Sequence, residues 1–248
     1  MIAVSVVSHG HGEMVQRLVN QLLACPEVSH VIVTFDIPEP TDLVSSDRLE
    51  IIGNSRCKGF GANHNAAFLR CRESFWCVLN PDIELMGNPF PALLDSLKAD
   101  KVGLVAPIIR TPEGKIEDSV RHFPTLTSLA LKAFGRDVSR YEIKVGVEEL
   151  FPEWVAGMFM LFRTDAFAAL GGFDEGYFLY YEDVDICVRF WKTGFKVVSC
   201  PKASAIHDAR RTSHSDWRHR RWHMWSMARY FFKYLWRLPD LDNSNVKY

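Results

Sequence analysis

Ile2-Ala3-Val4-Ser5-Val6-Val7-Ser8, followed at once by His9-Gly10-His11-Gly12 and then by residues 13–24, is the stretch that decides the fold. A run this apolar and β-branched reads as a strand buried on both faces rather than one with a wet side. The His-Gly-His-Gly segment breaks it, and beyond the break Met14, Leu18, Leu22 and Val15, Val19, Leu23 recur on a helical face. The alternation continues down the chain. Residues 31–35 form a second buried strand ended by Asp36 and the Pro38/Pro40 loop, residues 49–52 a third, and residues 63–70 a helix. Residues 75–79 form a fourth strand, stopped by Asn80-Pro81-Asp82. Strand, helix and strand in succession imply a largely parallel sheet with helices on both faces, and such sheets take ligands at the carboxyl ends of their strands. Ser8, His9, Asp36, Gly59-Phe60-Gly61 and Asp82 all stand at such ends.

Further along, residues 90–98 read as a helix, 102–109 as a strand and 111–114 as a turn, with a helix after Pro124 within 121–135. Residues 154–163 read as a strand rich in bulky side chains, and 165–170 as a short helix closed by Gly171-Gly172. A helix over 182–193 is capped at Gly194, and 195–200 is a strand. From Ser215 a basic, aromatic helix runs to about Trp236 and is ended by Pro239. The chain shows no internal repeat and no low-complexity linker. It divides into one α/β domain over 1–214 and a helical extension over 215–248.

With 248 residues and 48% hydrophobic content the chain builds a core without a disulfide or metal scaffold. A net charge of −1 argues against a general nucleic-acid binder. That near-neutrality hides an asymmetry: between Asp208 and Arg237 eight Arg or Lys face only two acids, Asp208 and Asp216, so one end is built to meet something anionic. The six cysteines have no Cys-x-x-Cys spacing and read as buried free thiols. The N-terminus has neither a basic leader nor a cleavage site, and no run approaches the ~20 apolar residues of a membrane span. These features lead to a cytoplasmic expectation.

Two acidic stretches carry the chemistry. Asp82 follows a buried strand, with Pro81 fixing the turn, and is placed either to ligate a divalent cation beside a nucleotide-sized crevice or simply to close an Asx turn. Glu182-Asp183-Val184-Asp185 opens a helix, where acids complement the macrodipole and cap orphan amides. The aromatic run Tyr177-Phe178-Leu179-Tyr180-Tyr181 before it also suits a sugar ring, and an aspartate here is placed to take a proton from a hydroxyl. His207, after a strand and a short polar loop, is either a structural histidine or a ligand for Mn²⁺ or Mg²⁺.

Read in order, these pieces resemble family 2 glycosyltransferases of the GT-A fold, an α/β architecture with a Rossmann-like nucleotide-binding half, a mainly parallel mixed sheet and, here, a C-terminal helical extension. The likeness runs through residues 4–8, Gly59-Phe60-Gly61-Ala62-Asn63-His64-Asn65, residues 78–82, residues 154–160, residues 171–178 and residues 181–189, with Gly194, Pro201 and Ala205-Ile206-His207 behind. Within the family the chain looks most like bacterial rhamnosyltransferases that build O-antigen or other cell-surface polysaccharide. Residues 119–125 and Ala205-Ile206-His207-Asp208 carry that closer likeness.

The resemblance implies roles. Asp183 matches the catalytic base, supported by Glu182 and Asp185. Asp82 matches the last acid of a metal-binding Asp-x-Asp motif whose first position is Asn80 here, and His207 joins it in holding Mg²⁺ or Mn²⁺. Asp36 matches the base-contacting position, although Ile37-Pro38-Glu39 replaces the usual Asn-Gly-Ser. Ser8, Gly59, Gly61, Asn63, Asn65, Asn80, Trp154 and Gly157 are expected to line the donor site, with Arg189, Arg210 and Arg211 as candidates to hold the diphosphate. The implied reaction is one inverting displacement on a nucleotide-sugar donor, dTDP-L-rhamnose above UDP- or GDP-sugars, by a hydroxyl of a lipid-linked saccharide acceptor. A non-catalytic nucleotide-sugar-binding protein on the same scaffold is the rival reading.

In the tail, Arg229, Lys233 and Arg237 recur every four residues and read as one cationic stripe beside Trp222, Trp225, Phe232 and Trp236. That pattern suits a helix lying on an anionic membrane surface, at the inner face of the cell membrane. It equally suits a helix packed on its own domain or on the second subunit of a homodimer.

Overall fold

The computed structural model describes residues 1–141, 143, 149–208, 217–235 and 237–241. In chain order the first half contains β1 (Ile2–Ser8), α1 (Glu13–Leu23), β2 (Val28–Phe35), β3 (Leu49–Gly53), α2 (Phe60–Phe68), β4 (Phe75–Leu79), β5 (Ile83–Leu85), α3 (Phe90–Ser96) and β6 (Val102–Arg110). There follow β7 (Val120–Arg121), α4 (Leu126–Ala133), β8 (Trp154–Val155), β9 (Phe159–Arg163), α5 (Thr164–Ala169), α6 (Glu182–Lys192), β10 (Lys196–His207) and α7 (Trp217–Tyr234). Eight described strands form one sheet in the order β3-β2-β1-β4-β9-β6-β10-β5. The strands β3, β2, β1 and β4 are mutually parallel, as are β6 and β10, whereas β9 and the edge strand β5 run antiparallel to their neighbours.

The unbroken apolar run of β1 follows from this position. Ile2, Val4 and Val6 belong to a core beneath α1 and α3, while Ala3 faces a second core shared by α2, α5, α6 and α7. Within the run, Ser5 is buried and shares a 2.8 Å hydrogen bond with Nδ1 of the buried His64, as a desolvated hydroxyl requires.

Three expectations are corrected here. The strand expected over 154–163 divides: β8 pairs with β7 in a separate ribbon and only β9 enters the main sheet. Between them the backbone turns so that Gly157 N–H meets Asp183 and the Met158 carbonyl accepts from Asn80 N–H at 2.9 Å. The strand expected to stop at Cys200 continues as β10 to His207, because a register shift between Cys200 and Ser204 absorbs Pro201, which has no N–H for a ladder. His207 is therefore a strand-end residue. The helix α7 ends at Tyr234, two residues early.

Gly59 and Gly61 open α2 where it meets the segment 173–178. A Cβ on Gly59 would stand 2.2 Å from the Phe178 carbonyl oxygen, and one on Gly61 2.8 Å from Phe173 Cβ. Gly59→Ala is expected to cost about 1–3 kcal/mol in denaturant unfolding, since the obstruction is backbone and cannot swing aside; an unchanged midpoint would show that the segment yields.

The helix α7 grips residues 177–181 almost residue by residue. The Arg229 guanidinium lies 5.2 Å from the Tyr177 ring, Phe178 packs on Trp222, and Ser226 Oγ donates to the Leu179 carbonyl at 2.8 Å. Tyr180 bonds His219, and Tyr181 packs on Tyr230. Of the two settings that the cationic stripe suited, packing on its own domain is the one that Arg229 and Lys233 take. Arg229 pairs with Asp174, and Lys233 bridges the half-buried Asp174 and the fully buried Asp185, which draw the two cations inward. Burial alone would raise the Asp174 carboxyl, but Lys233, the Gly176 N–H and Arg229 outweigh it and hold it at about 2. The Asp174 contribution to stability is thus full above about 4 and is lost as pH falls through about 2. Acid titration of Asp174→Asn is expected to show a shallower loss of stability over that window than the native chain.

Candidate functional site

Three side-chain clusters line the carboxyl ends of the central strands. The first surrounds Asp36, the residue after β2. Its Oδ1 accepts from Asn54 Nδ2 (2.8 Å), Asn63 Nδ2 (2.9 Å) and the Lys58 backbone N–H (2.8 Å). Its Oδ2 meets Cys57 Sγ at 2.7 Å and His9 Nδ1 at 3.2 Å. Burial pushes this carboxyl upward, but donation from Cys57, Asn63, Lys58 N–H and Asn54 outweighs it and holds the group below its ordinary value. Asn63 therefore orients Asp36, and Ser8 lies buried at the end of β1 with its Oγ 3.4 Å from His11 Nδ1.

The second cluster joins Asp82 to His207 across the antiparallel edge. His207 Nε2 lies 3.3 Å from Asp82 Oδ2, and its Nδ1 lies 2.9 Å from Glu117 Oε2. Burial would depress the imidazole, but the hydrogen bond and charge of Asp82 and the charge of Glu117 raise it above 6.5. Asp82 Oδ1 is buried with no hydrogen-bond partner, an orphan acceptor of the kind a cation satisfies. Since Glu117 takes the far nitrogen of the ring, Asp82 and His207 Nε2 are the pair placed to share one cation, with Glu117 fixing the ring behind it.

The third cluster is the N-terminal turn of α6. Tyr180 and Tyr181 both adopt left-handed φ, 71° and 69°, a costly pair for residues other than glycine. This corner swings Asp183 toward β8 and β9. Asp183 Oδ2 accepts from Gly157 N–H at 3.0 Å and Oδ1 from Val184 N–H at 2.8 Å. The carboxylate is half-buried and opens on a cavity of about 370 Å³ that Asn80, Trp154, Gly157, Tyr181 and Glu182 also line. Burial raises the Asp183 carboxyl while the two N–H groups oppose it; burial together with the charges of Asp183 and Asp185 pushes Glu182 well above its usual range. Glu182 Oε2 is buried with no partner, whereas both oxygens of Asp183 are held by N–H donors that favour its ionised form. An ionised carboxylate facing a cavity can take a proton from a hydroxyl bound there.

The remaining expected site residues fall elsewhere. Gly59 and Gly61 serve the close approach to 173–178. Asn65 is bound to both backbone groups of Phe173, at 2.9 Å each, and so holds a loop rather than facing the crevice. Arg189 is engaged by Asp185 (2.7 Å) and the Leu170 carbonyl (2.9 Å), drawn inward by the buried acid, and is corrected as a diphosphate ligand. Arg210 and Arg211 lie outside the described residues. Of the aromatic run only Leu179, Tyr180 and Tyr181 reach the cavity. Sequence reasoning missed Asn54, Cys57 and Glu117; Asn54 directly follows β3 and carried the same strand-end signal as Asp36, whereas Glu117 carried none. Among the six free thiols, five are buried as expected, and Cys57 is exposed.

Comparison with known proteins fits this arrangement. Residues 118–241 match the family model described as glycosyl transferase family group 2. The chain is 29% identical to rhamnosyltransferase WbbL of Escherichia coli (strain K12), over 99% of this chain and 96% of that protein. It is 35% identical to the N-acetylglucosaminyl-diphospho-decaprenol L-rhamnosyltransferase of Mycobacterium tuberculosis (strain ATCC 25618 / H37Rv), over 52% of this chain and 45% of the relative, so that match spans just under half of the mycobacterial protein. Its fold is similar to that of GalNAc-T7, solved with UDP, GalNAc and Mn²⁺ (TM-score 0.66, 14% identity, 86% of this chain and 44% of the other). A mannosyltransferase from Pyrobaculum calidifontis, solved with GDP-Man and Mn²⁺, is similar too (TM-score 0.62, 13% identity, 93% and 64%). These two likenesses concern the GT-A fold alone.

Proposed function

The chain belongs to glycosyl transferase family group 2, and from that premise we propose that this glycosyltransferase moves L-rhamnose from dTDP-L-rhamnose to a hydroxyl of a lipid-linked saccharide, with inversion, in cell-surface polysaccharide synthesis. The observation that carries the reading is the Asp183 carboxylate, held by Gly157 and Val184 N–H and open to the same cavity as Asn80 at the end of β4. The sugar and the acceptor class are supported by the names of the E. coli and M. tuberculosis relatives.

In this reading Asp183 takes the proton of the acceptor hydroxyl as its oxygen attacks the anomeric carbon from the face opposite the nucleotide. Asp36, fixed through Oδ1 by Asn54 and Asn63, meets the nucleotide base. Asp82 and His207 fit a divalent cation, Mn²⁺ or Mg²⁺, which when bound neutralises charge on the departing diphosphate. Trp154, with Nε1 donating to the His122 carbonyl at 2.9 Å, forms a fixed apolar wall of the cavity.

No helix among the described residues is long and apolar enough to cross a membrane. A lipid-linked acceptor is then met at a membrane surface. The outward side chains of α7 (Trp217, Met224, Trp225 and Phe232) are exposed and suit that interface, with Arg220 and Arg221 toward the headgroups.

The test is transfer from dTDP-L-rhamnose, UDP-sugars and GDP-sugars to lipid-linked saccharides, paired with thermal shifts for each nucleotide with and without Mn²⁺. Stabilisation by dTDP above UDP and GDP, and a product of inverted anomeric configuration, are expected. Nucleotide binding with no transfer from any donor would leave a binding protein instead.

A further inference from the structure

His9 Nδ1, Asp36 Oδ2 and Cys57 Sγ converge, with all three atoms within 4.8 Å of one another. The two oxygens of Asp36 are used differently. Oδ1 is held by three N–H donors from Asn54, Lys58 and Asn63, whereas Oδ2, among the described residues, meets the imidazole and the thiol. One carboxylate oxygen braced by amides, with the other turned to a nitrogen and a sulfur, is how metal ligands are oriented from behind. The His9 side chain is 42% exposed and Cys57 is exposed, so both have room to settle at coordination distance around an incoming ion. The loop of His9 is also braced, since its backbone N–H donates to His11 Nδ1 at 3.0 Å.

We propose that His9, Asp36 and Cys57 form a Zn²⁺ site, separate from Asp82 and His207, with three protein ligands and one open position. A nitrogen, an oxygen and a thiolate suit Zn²⁺, which accepts all three donors in tetrahedral geometry. The same thiolate disfavours Mn²⁺ and Mg²⁺, so the two sites sort their metals by ligand chemistry. On binding, the Cys57 S–H proton leaves to solvent and a zinc–sulfur bond replaces the Cys57–Asp36 hydrogen bond. Asp36 stays ionised and keeps its Oδ1 bonds. Zinc occupies the Asp36 oxygen that the foregoing reading gives to the nucleotide base. Resting on that reading, zinc and nucleotide exclude one another, and zinc acts as an inhibitor of donor binding.

Co²⁺ serves as the spectroscopic probe on the full-length chain stripped with chelator. One equivalent of Co²⁺ is expected to produce a thiolate-to-cobalt charge-transfer band and the intense visible bands of a four-coordinate ion, both displaced by Zn²⁺. The bands persist in Asp82→Ala/His207→Ala, which lacks the other cluster. The charge-transfer band is absent from Cys57→Ser, a near-isosteric change at an exposed position that keeps a donor to Asp36. His9→Gln weakens Co²⁺ binding by more than the roughly 10–100-fold that an outer partner of a metal ligand contributes. Absence of a charge-transfer band in the native chain, or its survival in Cys57→Ser, overturns the site. Competition is read separately, from thermal shifts with dTDP with and without Zn²⁺. A normal band with undiminished dTDP binding supports the metal site and overturns the placement of the base on Asp36.

Discussion

Asp183→Asn is expected to lower the rate of sugar transfer by about 10²–10⁴-fold, the usual worth of a positioned general base, while nucleotide affinity stays within about twofold. The substitution is nearly isosteric, and the amide oxygen still accepts one of the two N–H groups, from Gly157 or Val184, that hold the native carboxylate. What the amide lacks is an anionic oxygen able to receive the acceptor's proton. Glu182 does not replace it, because its side chain is buried while Asp183 is the carboxylate held open to the cavity. The measurement is kcat with a saturating acceptor, alongside calorimetry with the nucleotide alone. Turnover above a tenth of the native value would remove Asp183 from the role of base. Lost nucleotide affinity would show that the substitution had disturbed the fold.

Asp185→Ala is expected to cost about 3–5 kcal/mol, the usual penalty for removing one member of a buried ionic cluster. Asp185 is fully buried and accepts from Arg189 Nε (2.7 Å), Lys233 Nζ (2.6 Å) and Tyr234 Oη (2.7 Å). Its loss leaves a guanidinium and a phenol without their acceptor, while Lys233 falls back on Asp174. At roughly 2–4 °C per kcal/mol for a chain of this size, the melting temperature is expected to drop by about 10 °C. A drop below about 2 °C would mean that water or rotamer changes satisfy the stranded groups. The expected loss places Asp185 outside the chemistry, although it shares a helical turn with Asp183: one acid of the motif faces the cavity and the other fastens α7.

The strand-end map was legible in the sequence because its cause is local. A strand covered on both sides must be apolar throughout, and whatever follows it must be polar or glycine-rich, so Asp36, Asp82 and the glycine loop could be located without coordinates. Asp183 was readable for the same reason, as the opening of an acidic helix. The errors share a different cause. Arg189 was read as facing a diphosphate, and Arg229 and Lys233 as facing either a membrane or their own domain, because charge periodicity shows which residues share a face, not what the face meets. Their partners Asp174 and Asp185 carry no mark of burial in the local sequence. Glu117 was invisible because its contact with His207 spans 90 residues and arises only where β10 passes Cys200 and continues beside β6. The glycines were found, but not the reason the fold needs them: a close approach to backbone and a close approach to a phosphate ask for the same residue.

The left-handed pair Tyr180–Tyr181 bears on how the enzyme is made. A ribosome delivers α7 after every other described element, and α7 supplies His219 and Tyr230, which hold the pair in place. Without that helix the corner keeps its bonds to Gly157 and α2 but loses the side chains that cover the two tyrosines. Translation thus leaves the completion of that corner to the last described helix.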